Sequence, residues 1–322
     1  MHTIATPWMW AVFTLVVIAA LAVDLFMMRS KGPHKVGTGE ALKWSAGWVA
    51  LAMLFNVALW WYLRDKIGEA EAKHVALEFF TGYLVEKALA MDNIFVFLML
   101  FGYFAVPPVQ QQRALIYGII GAIILRAILI FVGAALIQQF HWILYVFGAF
   151  LVFTGVKMLW GAGEEPEIGQ NPVLGWIRKH FPITTEYHDT AFVVREHGTR
   201  WYTPLFVVVI MIGITDVIFA VDSIPAIFAI TDDPFIVLTS NVFAVLGLRA
   251  LFFLLAGMAD KFHLLAYGLA VVLIFIGGKM LVADVWHVPI GAALGLVALA
   301  IGTSMVLSLI IPPKKESDDE AK

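Results

Sequence analysis

Residues 145–159 read YVFGAFLVFTGVKML, and residues 267–281 read YGLAVVLIFIGGKML. Tyr, Leu, Phe, Gly, Lys, Met and Leu coincide, seven of fifteen positions, at an offset of 122. Phe140-His141 and Phe262-His263 keep that offset, and Leu125-Arg126-Ala127 returns as Leu248-Arg249-Ala250, one residue out of phase. Upstream, Glu86-(x5)-Asp92-Asn93 returns as Asp216-(x5)-Asp222-Ser223 at an offset of 130. Apolar helices share Leu, Phe and Gly by chance, but matched charges within apolar runs are far harder to obtain that way. The chain reads as a duplicated unit of three helices: an acidic one, an Arg-bearing one and a Lys-bearing one.

The repeat sits in 322 residues that are 61% hydrophobic and 14% charged, with 25 Phe and 11 Trp. Soluble domains average roughly 45–50% apolar and about 25% charged residues. The composition excludes a soluble globular enzyme and a disordered chain, and a formal charge of -3 leaves no basic surface for nucleic acid. The absence of Cys removes any disulfide framework or thiolate metal site.

A lipid-spanning helix needs about 20 largely apolar residues. Nine stretches qualify, at about 8–28, 41–63, 75–101, 113–137, 141–160, 202–230, 235–257, 263–283 and 289–311. The expected fold is all-α: a polytopic membrane protein of nine transmembrane helices with an inverted three-plus-three helix repeat. Three is odd, so the second unit enters the membrane from the opposite side, as in many transporters. The expected organisation is two N-terminal helices (1–74), repeat 1 (75–160), a linker (161–201), repeat 2 (202–283), a last helix (284–311) and a charged, disordered tail (312–322). The linker reads as a solvated connection, although residues 190–200 alternate in a way that suits a small hairpin.

No Lys or Arg precedes the first apolar run, and Arg29, Lys31 and Lys35 follow it, so it reads as a first span rather than a cleaved signal. Thirteen Lys and Arg lie in the connections on one side, against Arg64, Lys66 and Lys73 on the other. The basic excess marks the cytoplasmic side. The expectation is an inner-membrane protein with its N-terminus outside and its C-terminus in the cytoplasm.

Inside the spans lie Asp24, Glu86, Asp92, Asp216 and Asp222, with Glu78 near an interface, and the bases Lys87, Arg126, Lys157, Arg249 and Lys279. Each charge costs about 2.5–3.5 kcal/mol at a helix centre, and a domain's net stability is only about 5–15 kcal/mol. Such groups must face the bundle interior, pair with one another or bind something. The bases are expected to pair with acids. For the acids, stability alone is a thin reason, because buried ion pairs rarely outperform apolar replacements.

Repeat symmetry brings Glu86, Asp92, Asp216 and Asp222, with Asn93 and Ser223, toward one axis, an oxygen-rich donor set suited to Mn²⁺, Mg²⁺ or Ca²⁺. Acids six residues apart stand about 240° apart on a helix. Either the helix breaks between them or they do different work, with Asp92 and Asp222 as ligands and Glu86 and Asp216 as ligands or proton carriers. Pro225 removes a backbone hydrogen bond near Asp222. Asn56 suits an interhelical hydrogen bond or an accessory place at the site, as do Asp24 and Glu78. His74, His141, His180, His188, His197, His263 and His287 show no zinc-like spacing. Gly82, Gly118, Gly121, Gly148, Gly155, Gly277 and Gly278 read as close-packing positions.

The stretches EKALAMDNIFVF at 86–97 and TDVIFAVDSIPA at 215–226 resemble the TerC family of membrane proteins. So do GYLVEKALAMDN, DPFIVLTSN at 233–241 and LGLRALFFLLAG of the seventh span, and the resemblance covers nearly the whole chain. The family in turn resembles the LysE superfamily of exporters. The resemblance implies a bacterial inner-membrane exporter of a divalent metal, best candidate Mn²⁺, with no cofactor of its own. An older association with tellurium resistance suggests an oxyanion, which an acid-rich site would repel. Gly213 stands where the family pattern carries an acid, a departure that bears on how many charges the site holds.

No phosphate loop, nucleophile elbow or HExxH motif is present, so the chain is not expected to be an enzyme or an ATP-driven pump. The expected partners are the lipid bilayer and a divalent metal ion, without nucleic acid. Two other roles remain open: a membrane scaffold or assembly factor linked to metal or tellurium resistance and pH response, and a sensor acting through the linker.

Overall fold

The computed structural model describes residues 3–30, 36–140, 142–160, 172–188, 191–196, 199–256, 264–283, 285 and 288–311, with backbone alone at residues 27–30, Asp92, Glu196 and Thr199. The chain forms α1 (Pro7–Ser30), α2 (Thr38–Ile67), α3 (Glu69–Tyr103), α4 (Pro108–Gln139) and α5 (Ile143–Trp160). There follow α6 (Pro172–His180), β1 (Val193–Glu196), β2 (Thr199–Tyr202), α7 (Pro204–Phe228), α8 (Pro234–Leu246), α9 (Leu248–Leu255), α10 (Leu265–Leu281) and α11 (Ile290–Ile310). It is an all-α polytopic membrane protein.

Prolines open α1, α4, α7 and α8, where a missing N–H costs nothing and a fixed φ starts the turn. At α8 the Asp233 carboxylate also accepts from the Phe235 N–H at 2.8 Å. Between α2 and α3 a single residue breaks the helix: Gly68, at φ 91°, in the left-handed region where a side chain would be strained.

All nine apolar stretches fall on helix. Among the described residues six of these helices are long and apolar enough to cross a membrane, and α8 and α9, bent by 42°, pass the same test when taken together. Two expected spans meet that standard less fully: α3 carries Glu78, Glu86, Lys87 and Asp92 along its length, and α10 has 17 residues. The expected single helix over 235–257 is broken at Gly247. There the backbone passes so close to α2 and α3 that a Cβ would lie 2.7 Å from Lys87 Nζ and 3.1 Å from Trp48 Cβ.

The helices on either side of the linker pack crosswise: α3 lies against α8, α4 against α7, and α5 against α10. Glycine sits at each seam. Cβ atoms would meet Ser240 Oγ at 2.9 Å from Gly82, Ile212 Cγ2 at 2.5 Å from Gly118 and the Gly148 carbonyl at 2.6 Å from Gly277. Gly155 lies as tightly against the Ala270 carbonyl, at 2.8 Å. Gly121 and Gly278, expected to share this role, face open space.

The segment before α7 is more than a solvated connection. Residues 161–171 lie outside the description, but beyond them α6 packs on α7, and β1 and β2 pair as an antiparallel hairpin. Tyr187 Oη donates to the Phe104 carbonyl at the end of α3, at 2.8 Å. Burial pushes that phenol up to about 12, so it keeps its proton as a donor. Phe192 packs edge-on to Tyr117, and the Arg113 guanidinium lies over both rings. The hairpin is thereby docked on α4. His141, His197, His263, His287 and the tail 312–322 lie outside the described residues.

Candidate functional site

The most polar point of the interior is Arg126. Its place on α4 is fixed by the Gly118 and Gly133 contacts, which bring α4 against α7. With 0% of its surface exposed, its guanidinium reaches three other helices. Nε and Nη2 donate to the two carboxylate oxygens of Asp216 on α7, at 2.9 and 2.8 Å. Nη1 donates to Glu86 on α3. The same nitrogen lies 3.5 Å from Ser223 Oγ on α7 and 3.4 Å from Asn241 Oδ1 on α8. Glu86, Asp216, Ser223 and Asn241 are all buried.

Two features of this hub bear on chemistry. It sets two carboxylates against one guanidinium, so one negative charge is uncompensated when both acids are ionised. Among the described residues Glu86 Oε2 and Asn241 Nδ2 are buried without a hydrogen-bond partner. Buried orphan groups cost about 1–3 kcal/mol each.

Glu86 and Asp216, matched in sequence at an offset of 130, both go to one arginine. The second arginine does not repeat the pattern: Arg249 on α9 pairs with Asp24 on α1. Both arginines thus take acid partners, as expected. The lysines behave differently. Lys87 donates to the Ala244 carbonyl at 3.1 Å and Lys279 to the Ala229 carbonyl at 3.1 Å. These carbonyls lie at the ends of α8 and α7, where the helix supplies no partner, so both lysines cap helix C-termini rather than pairing with acids.

Asp222 stands away from the hub. Its Oδ1 accepts from Thr154 Oγ1 on α5 at 3.4 Å, and Lys157, on the same helix, is the cation acting on it. Helix α3 runs unbroken through Glu86 and Asp92, which places the two on different faces. The Asp92 side chain lies outside the described residues. Asn93 is buried two turns beyond Glu86 on the same face. Helix α7 likewise continues through Pro225.

Asn56 Oδ1 is buried without a hydrogen-bond partner among the described residues. Glu78 pairs with His74, one turn earlier on α3, at 3.5 Å. Among the described residues no three His, Asp or Glu side chains stand where they would hold a metal ion.

Asn241 is the hub residue that the pattern of charges missed. Thr239 and Ser240 beside it bond back to their own helix, as short hydroxyl side chains do, whereas the longer amide reaches out to Arg126. The available signal was an amide in an otherwise apolar span.

Residues 71–316 match the model of the integral membrane protein TerC family. The chain is 54% identical over 297 residues, 92% of each chain, to the protein named "Putative membrane-bound redox modulator Alx" in Escherichia coli K12. It is 53% identical over 308 residues, 96% of each chain, to the protein of that name in Salmonella typhi. It is 44% identical over 308 residues to an uncharacterized membrane protein of Myxococcus xanthus, covering 96% of this chain and 94% of that one. No solved structure matches. With the family model spanning most of its length and relatives near half identity end to end, the chain belongs to the TerC family of integral membrane proteins.

Proposed function

We propose that this protein exports a divalent cation across the bacterial inner membrane, with Mn²⁺ as the leading substrate, and that the two three-helix units alternate access by rocking against each other. One observation carries the reading: acids at equivalent positions of the two units, Glu86 and Asp216, converge on a single buried guanidinium and leave a negative charge without a partner. A cation or a proton neutralises that surplus, and a hard divalent ion suits carboxylate, hydroxyl and amide oxygens. The reciprocal packing of α3 with α8, α4 with α7 and α5 with α10 supports an inverted repeat.

In this scheme Asp92, Asp222, Asn93 and Ser223 supply further ligands as the units move, and Glu86 and Asp216 bind the ion or carry the exchanged proton. The separation of Asp222 from the hub then corresponds to a conformation with the full ligand set apart. The name of the relatives from Escherichia coli and Salmonella typhi speaks of redox modulation. This chain has no Cys, so thiol–disulfide exchange on its own residues is not available to it.

The test is Mn²⁺ movement into everted vesicles carrying the full chain. Glu86→Gln and Asp222→Asn are expected to slow it at least about tenfold, the loss of about 1.4 kcal/mol of transition-state or binding free energy, at unchanged protein level. Normal transport by both variants would falsify the proposal. So would a chain whose activity survives those changes but is lost when residues 161–201 are replaced by a neutral linker, the behaviour of a scaffold.

A further inference from the structure

Helix α6 buries Leu174 and Ile177 and leaves Trp176, Arg178 and Lys179 exposed. The chain after it runs beside β2: the Tyr202 N–H donates to the Pro182 carbonyl at 2.8 Å, and the Thr184 N–H donates to the Tyr202 carbonyl at 2.9 Å. The Tyr202 ring lies 5.1 Å from Phe181 and 4.6 Å from Phe206 in the first turn of α7. Helix α6 and the hairpin are therefore fixed to the N-terminal end of α7, a helix long and apolar enough to cross a membrane.

The hairpin register then sets Arg195 directly opposite Arg200. Opposed residues on two paired strands have Cβ atoms about 4.5–5.5 Å apart, and like charges there are destabilising. Both arginines are exposed, and among the described residues neither has a carboxylate partner. Among the described residues no carboxylate offsets the repulsion. An anion between them removes it, and paired guanidiniums match the geometry of phosphate oxygens.

We infer that this ledge binds the headgroup phosphate of an anionic phospholipid, with Arg195 and Arg200 as the clasp. Arg178 and Lys179 extend the positive field, and Trp176 is the interfacial anchor beside it. A lipid is favoured over a soluble anion because of position. Arg200 stands four residues before α7 begins, basic clusters so placed attract anionic leaflets, and Trp prefers the headgroup level.

Native mass spectrometry of the full-length protein, exchanged from detergent with phosphatidylglycerol or phosphatidylcholine, tests this. The wild type is expected to retain phosphatidylglycerol preferentially. Arg195→Gln/Arg200→Gln lowers that retention by about tenfold, while Arg64→Gln/Lys66→Gln, which removes equal charge at the other end, keeps it. Millimolar inorganic phosphate does not displace the lipid. A second readout has the opposite sign: in detergent without added lipid the Arg195→Gln/Arg200→Gln protein melts no lower than wild type, because a repulsion is gone, yet gains less from phosphatidylglycerol. Should that variant fail to fold, Arg200→Glu replaces the clash by an attractive pair and is expected to fold and lose the lipid. Equal losses in the hairpin and control variants, unchanged retention in Arg200→Glu, or displacement by inorganic phosphate would each overturn the inference.

Discussion

Arg126 shows how a single side chain organises an apolar interior. It binds one acid from α3 and one from α7 and links four helices, and removing one partner of a buried ion pair costs about 3–5 kcal/mol because the other is left stranded. Arg126→Leu strands two carboxylates at once and is expected to lower the melting temperature in detergent strongly or abolish accumulation. Glu86→Gln removes the surplus charge while leaving the bidentate Asp216 pair, so it is expected to melt close to the wild type. Equal melting of the two variants would show that the hub is not held by its charges. The positions of Glu86, Asp216 and Arg126 were legible in the sequence because charges in apolar runs stand out. The pairing was not, since it depends on how helices approach. Neither were the lysine partners: a carbonyl becomes available only where a helix ends, and the end of α8 lies inside a run that is apolar on both sides.

Elements were easier to read than the seams between them. Hydropathy located the six long apolar helices because lipid imposes about 20 apolar residues on each span. It gave no sign of the bend at Gly247, where chain direction is set by Trp48 and Lys87 from other helices, and none of α6, which is too short for its two buried side chains to form a pattern. Glycine positions were only partly informative, since a glycine at a seam and one facing open space look alike in sequence. Gly277 and Gly278 make the contrast testable. A Cβ at 277 meets two backbone atoms of α5 within 2.8 Å, whereas 278 has nothing within 4 Å. Gly277→Val is expected to split α5 from α10 and fall by several kcal/mol, in the range of about 1–3 or more for overpacking, and Gly278→Val to fall by less than about 1 kcal/mol. Thermal melting of the two purified variants checks this, and equal melting would mean that the α5–α10 seam yields.

Over the whole molecule, the contacts sort the connections into two ends. Thr3 Oγ1 and the Ile4 N–H both donate to Asp233, at 2.9 and 2.6 Å, joining the N-terminal segment to the α7–α8 turn. Tyr187 joins the hairpin segment to the α3–α4 turn at the other end. Because the chain has no Cys, sidedness is measurable without background. Asp65→Cys and Asp232→Cys are expected to react with an impermeant maleimide in intact cells, and Glu186→Cys only after permeabilisation. The reverse pattern would invert the orientation drawn from the basic residues, and a mixed one would change the number of spans. The family match starts at residue 71, yet Arg249 of the second unit finds its counterion in Asp24 on α1. The boundary of the family match thus cuts through an ionic bond. A chain trimmed to residues 71–316 would leave that guanidinium without the carboxylate it meets here.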